Sequence, residues 1–180
     1  MTFIHIMSGI PASGKSTYAE SQAYLTGAPV IHRDAVRAAL RDYYDSNEYF
    51  PCSETEEYDT FVDIVCGKIR AHKGGHIWID QTTLSIASAK RLISAIHRRM
   101  KEENIEMEFT IEMMVTPYSI CIERNAKRAG FERVPQDVID SMYYTFERTV
   151  DNCRMRSTFL VKGCPVHIRM HHYERGDTQR

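Results

Sequence analysis

The stretch that decides the fold begins with the apolar run Phe3-Ile4-His5-Ile6-Met7 and continues into Gly9–Thr17, which reads GIPASGKST. It matches the pattern G-x-x-x-x-G-K-[ST], whose fixed positions are Gly9, Gly14, Lys15 and Ser16. Glycine lets the backbone N–H groups turn toward phosphate oxygens, and the N-terminus of a following helix adds a favourable field. The sequence therefore predicts a strand, a phosphate-binding loop and a helix, with a nucleoside triphosphate in the loop.

The polar residues of this loop have expected contacts. Lys15 can reach the β- and γ-phosphates, and the Ser16 hydroxyl can ligate Mg²⁺. Ser13 and Thr17 complete the loop residues that we expect to bind the nucleotide, which we expect to be ATP. An ordinary strand–turn–helix corner is the alternative interpretation, but the strand before and the helix after are the context that the motif requires.

The length and composition of the chain limit how many domains it has and which class of protein it belongs to. A chain of 180 residues with ordinary hydrophobic and charged fractions predicts one domain, residues 1–180. The formal net charge of −1 gives no global field that would attract nucleic acid. Five cysteines without a C-x-x-C pair, and no signal-peptide pattern, favour reduced thiols and a cytoplasmic location. No stretch is long and apolar enough to predict a membrane span, and a homo-oligomer is left open.

Hydrophobic periodicity predicts strands alternating with helices. The strands are predicted over 2–7, 30–32, 76–79 and 107–115, with two short ones at 159–161 and 166–168. The helices are predicted over 15–25, 34–44, 55–73, 86–103, 118–129 and 135–150, with a loop over 45–54. This order indicates an α/β fold, a three-layer P-loop NTPase-like parallel sheet with helices on both faces. A helical lid over about 117–150 and a polar C-terminal tail over about 171–180 complete the prediction.

The second strand ends in His32-Arg33-Asp34, followed by Arg37 one turn later. Ligands bind at the carboxyl ends of strands in an open parallel sheet, so Asp34 and Arg37 should lie beside the phosphate loop. A carboxylate there could accept the proton of an attacking hydroxyl, and Arg37 could hold an anionic part of the acceptor. The alternative is that Asp34 only caps a helix.

The third strand is expected to end at Asp80, and Thr82 extends its polar edge. An aspartate after an apolar strand, downstream of a phosphate loop, suggests a second acidic group that supports Mg²⁺ directly or through water. A cap on a turn or helix by Asp80 is the alternative.

Three cations, Arg124, Lys127 and Arg128, are spaced to share one face of a predicted helix. Arginines on a lid could close over the triphosphate and neutralise charge in the transition state. A solvated basic face is the alternative, because it is the usual role of a charge cluster.

Together the segments GIPASGKST, HRDAVR, IDQTT, ERNAKR and VPQDVIDSMYYTFE resemble the kinase domain of phage-type polynucleotide 5′-hydroxyl kinases. Their order and spacing hold over about residues 2–150. The phosphate loop is shared by many enzymes, whereas the R-D-x-x-R and R-N-x-K-R elements are more specific. The family's D-x-T-N element reads D-Q-T-T here, so Thr83 departs from the pattern.

The resemblance implies a role for each matching residue. Lys15 and Ser16 match the phosphate-binding and metal-associated positions, and Asp34 matches the general base. Arg37 matches the arginine on the acceptor's neighbouring phosphate. Arg128 resembles the lid arginine on the transferred phosphoryl group, with Arg124 beside it. The D-x-D-x-[TV] signature of an aspartate-based phosphatase is missing, so we expect kinase activity only.

Three functions follow as hypotheses. The first is an ATP-dependent kinase that phosphorylates the 5′-hydroxyl of a nucleic acid or nucleotide. The second is a zeta-toxin-like or other small-molecule P-loop kinase, which the near-neutral charge fits equally well. The third is a non-catalytic nucleotide-sensing module with a protein partner, against which the pair of Asp34 and Arg37 argues. One fold hosts many functions, so only the acceptor separates the first two.

Overall fold

A computed structural model describes residues 1–45 and 52–173. The strands are β1 (Thr2–Ser8), β2 (Val30–His32), β3 (His76–Thr83), β4 (Met107–Val115), β5 (Thr158–Val161) and β6 (Cys164–His172). The helices are α1 (Lys15–Thr26), α2 (Arg33–Tyr44), α3 (Glu54–Ala71), α4 (Ile86–Met100), α5 (Tyr118–Ala126) and α6 (Gln136–Cys153). A 3₁₀ turn, Gly130–Glu132, lies between α5 and α6.

The six strands form one sheet in the order β2-β3-β1-β4-β6-β5. All neighbouring pairs are parallel except β5 and β6, which are antiparallel because only Lys162 and Gly163 connect them. The sheet is therefore a mostly parallel one, as predicted, with an antiparallel edge. The parallel arrangement brings the carboxyl ends of β1, β2, β3 and β4 to one edge, where the phosphate loop follows β1.

One face of the sheet carries the main hydrophobic core. Ile4 and Ile6 of β1 are fully buried there and belong to the same cluster as Phe61 of α3, Leu92 of α4 and Phe146 of α6. On α3, Phe61, Val62, Val65 and Ile69 are fully buried, whereas Ile64 is 38% exposed. This face fixes the helices that border the site.

The opposite face is covered by α1, through Ala19 and Ala23 against Met7 and Trp78. Beyond α1 the same face carries a polar network around Glu112, whose side chain is fully buried. His5 Nδ1 lies 2.8 Å from Glu112 Oε1, and His171 Nε2 lies 2.7 Å from Glu112 Oε2. Glu112 therefore ties β1, β4 and β6 together. Burial raises the pKa of Glu112, but the hydrogen bonds from the two histidines outweigh it and hold the pKa at about 2.

Several predicted boundaries differ from the structure by a few residues, and strand pairing explains two of them. The third strand was expected to end at Asp80, whereas β3 continues to Thr83, because Thr83 pairs with Ser8 of β1 after a register shift. The tail was expected from residue 171, whereas β6 reaches His172, which pairs with Val115. Residues 46–51 of the predicted loop and 174–180 of the predicted tail lie outside the described residues. Among the helices of the described chain, none has the length and apolar character to cross a membrane.

Candidate active site

The phosphate loop joins β1 to α1 at the carboxyl edge of the sheet. Gly9 has φ +146° and Gly14 has φ +96°, which are conformations that side chains disfavour. A Cβ at Gly9 would also lie 2.7 Å from Ser13 Oγ and 3.2 Å from the carbonyl oxygen of Met114. Glycine is therefore required at both positions, and Gly14 directly precedes the first turn of α1.

The hydroxyl of Ser13 is the clearest sign that the loop is built for a ligand. Ser13 is buried, yet its Oγ has no hydrogen-bond partner within residues 1–45 and 52–173. The backbone around it is held, because Thr116 Oγ1 donates a 2.8 Å hydrogen bond to the Ser13 carbonyl oxygen. A buried donor that is left over in a rigid glycine loop fits a phosphate oxygen.

Lys15 is the first residue of α1 and is almost fully buried. Its Nζ donates a 2.7 Å hydrogen bond to the carbonyl oxygen of Ile10. Burial lowers the pKa of Lys15 to about 8; the charge of Asp80 opposes this shift, whereas that of Arg128 adds to it. The predicted role of Lys15 is to bind the β- and γ-phosphates. That role requires a poorly solvated ammonium group that can gain a phosphate partner.

Asp80 lies inside β3 and is mostly buried. Its Oδ2 lies 2.9 Å from Nδ1 of His32, the paired residue on β2. Ser16 is an exposed residue in the first turn of α1. A hydroxyl and a single carboxylate are oxygen donors that suit Mg²⁺ when nucleotide phosphates and water supply the other ligands. Within the described residues, no group of three His, Cys, Asp or Glu side chains could hold a metal alone.

Asp34 lies in the first turn of α2, and Arg37 follows one turn later. Arg37 Nη1 donates a 2.7 Å hydrogen bond to Asp34 Oδ1, while the side chain of Asp34 remains 88% exposed. Asp34 is not the N-cap of α2, because the cap residue is His32 and its side chain makes no capping bond. The carboxylate therefore faces outward with one oxygen oriented by a guanidinium.

Glu57 of α3 lies behind this pair and is completely buried. Its two oxygens accept hydrogen bonds of 2.9 and 2.6 Å from Nε and Nη2 of Arg33. Glu57 Oε1 is also 3.5 Å from Nε of Arg37. One buried carboxylate thus holds two neighbouring arginines of α2, and through them the first turn that carries Asp34.

Two arginines of the predicted lid approach the loop. Arg124 Nη1 lies 3.5 Å from the carbonyl oxygen of Ala12, and a Cβ at Gly14 would be 3.8 Å from the same nitrogen. Arg128 Nη1 lies 3.5 Å from the carbonyl oxygen of Glu132, and its charge acts on the pKa of Lys15. Lys127 instead pairs with Glu123 at 2.8 Å on the exposed side of the helix. Closure of a lid stays a prediction, as do the roles of these arginines.

The structure therefore brings most of the predicted residues to one edge of the sheet. Thr17 and Thr82 are exposed there, and their roles stay predictions. Sequence reasoning missed His32 and Glu57. Glu57 stands four residues before the buried Phe61, so a charge on the apolar stripe of α3 was the signal that could have revealed it.

Comparisons with known proteins bear on the family and the fold of this chain. A protein of Autographa californica nuclear polyhedrosis virus that carries the name bifunctional polynucleotide kinase/RNA ligase is 28% identical over 151 residues. That match covers 78% of this chain, which spans only about a fifth (20%) of the relative's length. The Pnkp1/Rnl/Hen1 RNA repair complex includes a chain with a TM-score of 0.61 and 18% identity, matched over 92% of this chain and 48% of that one.

A gluconokinase from Sinorhizobium meliloti has a TM-score of 0.53 and 15% identity, over 95% of this chain and 82% of the other. At such identities the structures show a shared fold, that of P-loop kinases, and the predicted resemblance to a polynucleotide kinase is confirmed at that level. The family model described as AAA domain matches residues 4–149. Because this match covers most of the residues, the chain belongs to the AAA domain family.

Proposed function

We propose that this protein is an ATP-dependent kinase that transfers the γ-phosphoryl group to the 5′-hydroxyl of a nucleic acid or nucleotide. The observation that carries the proposal is the pairing of Asp34 with Arg37 on α2, at the edge of the sheet where the phosphate loop follows β1. An exposed carboxylate provides a base for a hydroxyl, and a guanidinium one turn away provides a partner for a phosphate on the same acceptor. The resemblance to polynucleotide kinases supports the same acceptor.

Each part of the phosphoryl transfer is assigned to particular residues of this chain. The triphosphate is held by the loop backbone, Ser13 and Lys15. Asp34 accepts the proton of the acceptor's 5′-hydroxyl while the oxygen of that hydroxyl forms a bond to the γ-phosphorus. The bond from that phosphorus to the β-phosphate oxygen breaks, and ADP leaves. Arg128 neutralises charge on the transferred group. Ser16 and Asp80 would hold Mg²⁺, which would supply further neutralisation of charge on the triphosphate.

A second candidate is phosphorylation of a small molecule. The structural likeness to a gluconokinase favours it, and the net charge of −1 does not favour nucleic acid. The two candidates differ in what Arg37 does. A sugar hydroxyl has no adjacent phosphate. A 3′-phosphorylated nucleoside places its phosphate within reach of the Arg37 guanidinium, beside the catalytic base Asp34.

The test is an acceptor screen with radiolabelled ATP on oligonucleotides, nucleoside 3′-monophosphates, nucleosides and sugars. The proposal expects transfer to the phosphorylated acceptors. The variant Arg37→Ala should lose about 10- to 100-fold in kcat/KM on a nucleoside 3′-monophosphate, from a lost charge-assisted hydrogen bond, and much less on a nucleoside. Transfer to sugars alone, or an equal loss on both acceptors, would contradict it.

A further inference from the structure

The face of α2 that carries Asp34 continues beyond Arg37. Residues 34, 37, 41 and 44 follow one another at helical spacing and fall within an arc of about 80° at about 100° per residue. They are Asp34, Arg37, Arg41 and Tyr44. Val36 and Leu40 point to another side of the helix, where they pack on the main core. A carboxylate, two guanidiniums and an aromatic ring thus form one row along the helix.

The dimensions of this row exceed those of a single nucleotide. Asp34 and Arg37 are about 4.5 Å apart along the helix axis, and Arg41 is about 6 Å further on, at 1.5 Å per residue. Tyr44 ends the row about 15 Å from Asp34. Successive phosphates of a single strand are separated by a distance comparable with the step from Arg37 to Arg41.

The 3₁₀ turn after α5 contributes an aromatic ring to the same row. Phe131 lies in the 3₁₀ turn after α5, three residues beyond Arg128, and is 55% exposed. The guanidinium carbon of Arg41 stands 4.7 Å from the centre of its ring. Exposed aromatic rings beside arginines are the elements on which proteins stack the bases of single-stranded nucleic acids. The alternative is that the pair of Arg41 and Phe131 only stabilises the surface. That role would not need a row of polar residues that starts at Asp34.

We propose that Arg41 and Phe131 form a second nucleotide subsite, which makes a single strand of at least two nucleotides the preferred acceptor. The subsite rests on the proposed function, because Asp34 defines where the 5′ end lies. Arg41 contacts the second phosphate of the strand and Phe131 stacks on a base next to it. Tyr44 closes the row, and its hydroxyl donates a hydrogen bond to the carboxylate of Glu56.

The experiment compares acceptors of increasing length: a nucleoside 3′-monophosphate, a dinucleotide 3′-phosphate and a hexanucleotide. Arg41→Ala and Phe131→Ala should each lower kcat/KM about tenfold or more on the hexanucleotide and leave the mononucleotide unchanged. Lys90→Ala is the matched control, because Lys90 lies 5.3 Å from the ring of Phe159 at the opposite edge of the sheet. A loss that is equal at all lengths, or no loss, overturns the subsite.

A binding measurement separates failure of the subsite from failure of the proposed function. Fluorescently labelled hexanucleotide is titrated into the protein at several salt concentrations. Arg41→Ala should reduce the slope of log affinity against log salt by about 0.7, the value for one phosphate contact on a single strand. Wild-type protein that binds the hexanucleotide through Arg41 but phosphorylates no nucleic acid would refute the proposed function alone. An unchanged slope refutes the subsite, whatever the transfer activity.

Discussion

The carboxylate of Glu57 and the guanidinium of Arg33 form a two-point ion pair in which both carboxylate oxygens accept hydrogen bonds, at 2.6 and 2.9 Å. The two residues come from α3 and α2, and Glu57 is completely buried. The same carboxylate lies 3.5 Å from Arg37. The pair therefore fixes the helix that carries the candidate base, although neither partner is expected to contact the nucleotide.

Glu57→Ala should lower the free energy of unfolding by about 3 kcal/mol, because it leaves the partly buried charge of Arg33 without its partner. Urea denaturation measures the loss. Glu54→Ala, an exposed glutamate in the same turn of α3, is the matched control and should cost less than about 1 kcal/mol. Equal losses in the two variants would show that the ion pair does not stabilise the fold.

Asp34→Asn should lower kcat by about 10²-fold or more, because the amide cannot accept the proton of the acceptor hydroxyl. Binding of ATP should be unchanged, since Asp34 does not belong to the phosphate loop. Rapid single-turnover transfer and equilibrium binding of a fluorescent nucleotide measure the two properties. Asp42→Asn, an exposed aspartate on another side of α2, is the control. Full transfer by Asp34→Asn would exclude this residue as the base.

Lys15→Met should abolish nucleotide binding and raise the stability of the nucleotide-free protein. The pKa of Lys15 falls from 10.5 to about 8 in the folded protein, mainly through burial. Below pH 8 the fold therefore holds a charge that the unfolded chain solvates better, at a cost of up to about 3 kcal/mol, and the cost disappears between pH 8 and 10.5. Thermal unfolding at pH 7 and pH 10 should show a stabilisation of several degrees only at pH 7. Lys68→Met, at an exposed site on α3, should show neither effect.

Glu112→Gln should destabilise the protein at neutral pH by about 3 kcal/mol, because the pKa of Glu112 is held at about 2 instead of 4.5. A lowered carboxyl pKa contributes stability that is complete above pH 4.5 and is lost as the pH falls through 2. The free energy of unfolding, measured with urea, should therefore fall more steeply for the wild type than for the variant as the pH is lowered from 4.5 to 2. Glu108→Gln is the control, because the Glu108 carboxylate is only part-buried and lies 3.5 Å from Nε2 of His167. Parallel pH profiles for wild type and Glu112→Gln would contradict the assignment.

Much of the architecture could be predicted from the sequence because it depends on local patterns. The Gly9–Thr17 motif requires a strand before it and a helix after it, and both are present. Strands alternating with helices allow few topologies other than a parallel sheet, which places Asp34 and Asp80 at the edge where Lys15 lies. The ends of the elements were predicted less well than their order. For example, β3 continues past Asp80 because it pairs with β1, and hydrophobic periodicity does not encode that pairing.

By itself the sequence determined a phosphate loop, an α/β sheet and the set of polar residues at strand ends, because glycine conformation and hydrophobic period act over a few neighbouring residues. Only the tertiary structure decided which of those residues meet. Glu57 reaches Arg33 across 24 positions, Glu112 reaches His5 across 107, and Arg41 reaches Phe131 in the 3₁₀ turn after α5. Such contacts depend on how helices pack on the sheet, and packing depends on shape and burial that no short stretch of sequence specifies.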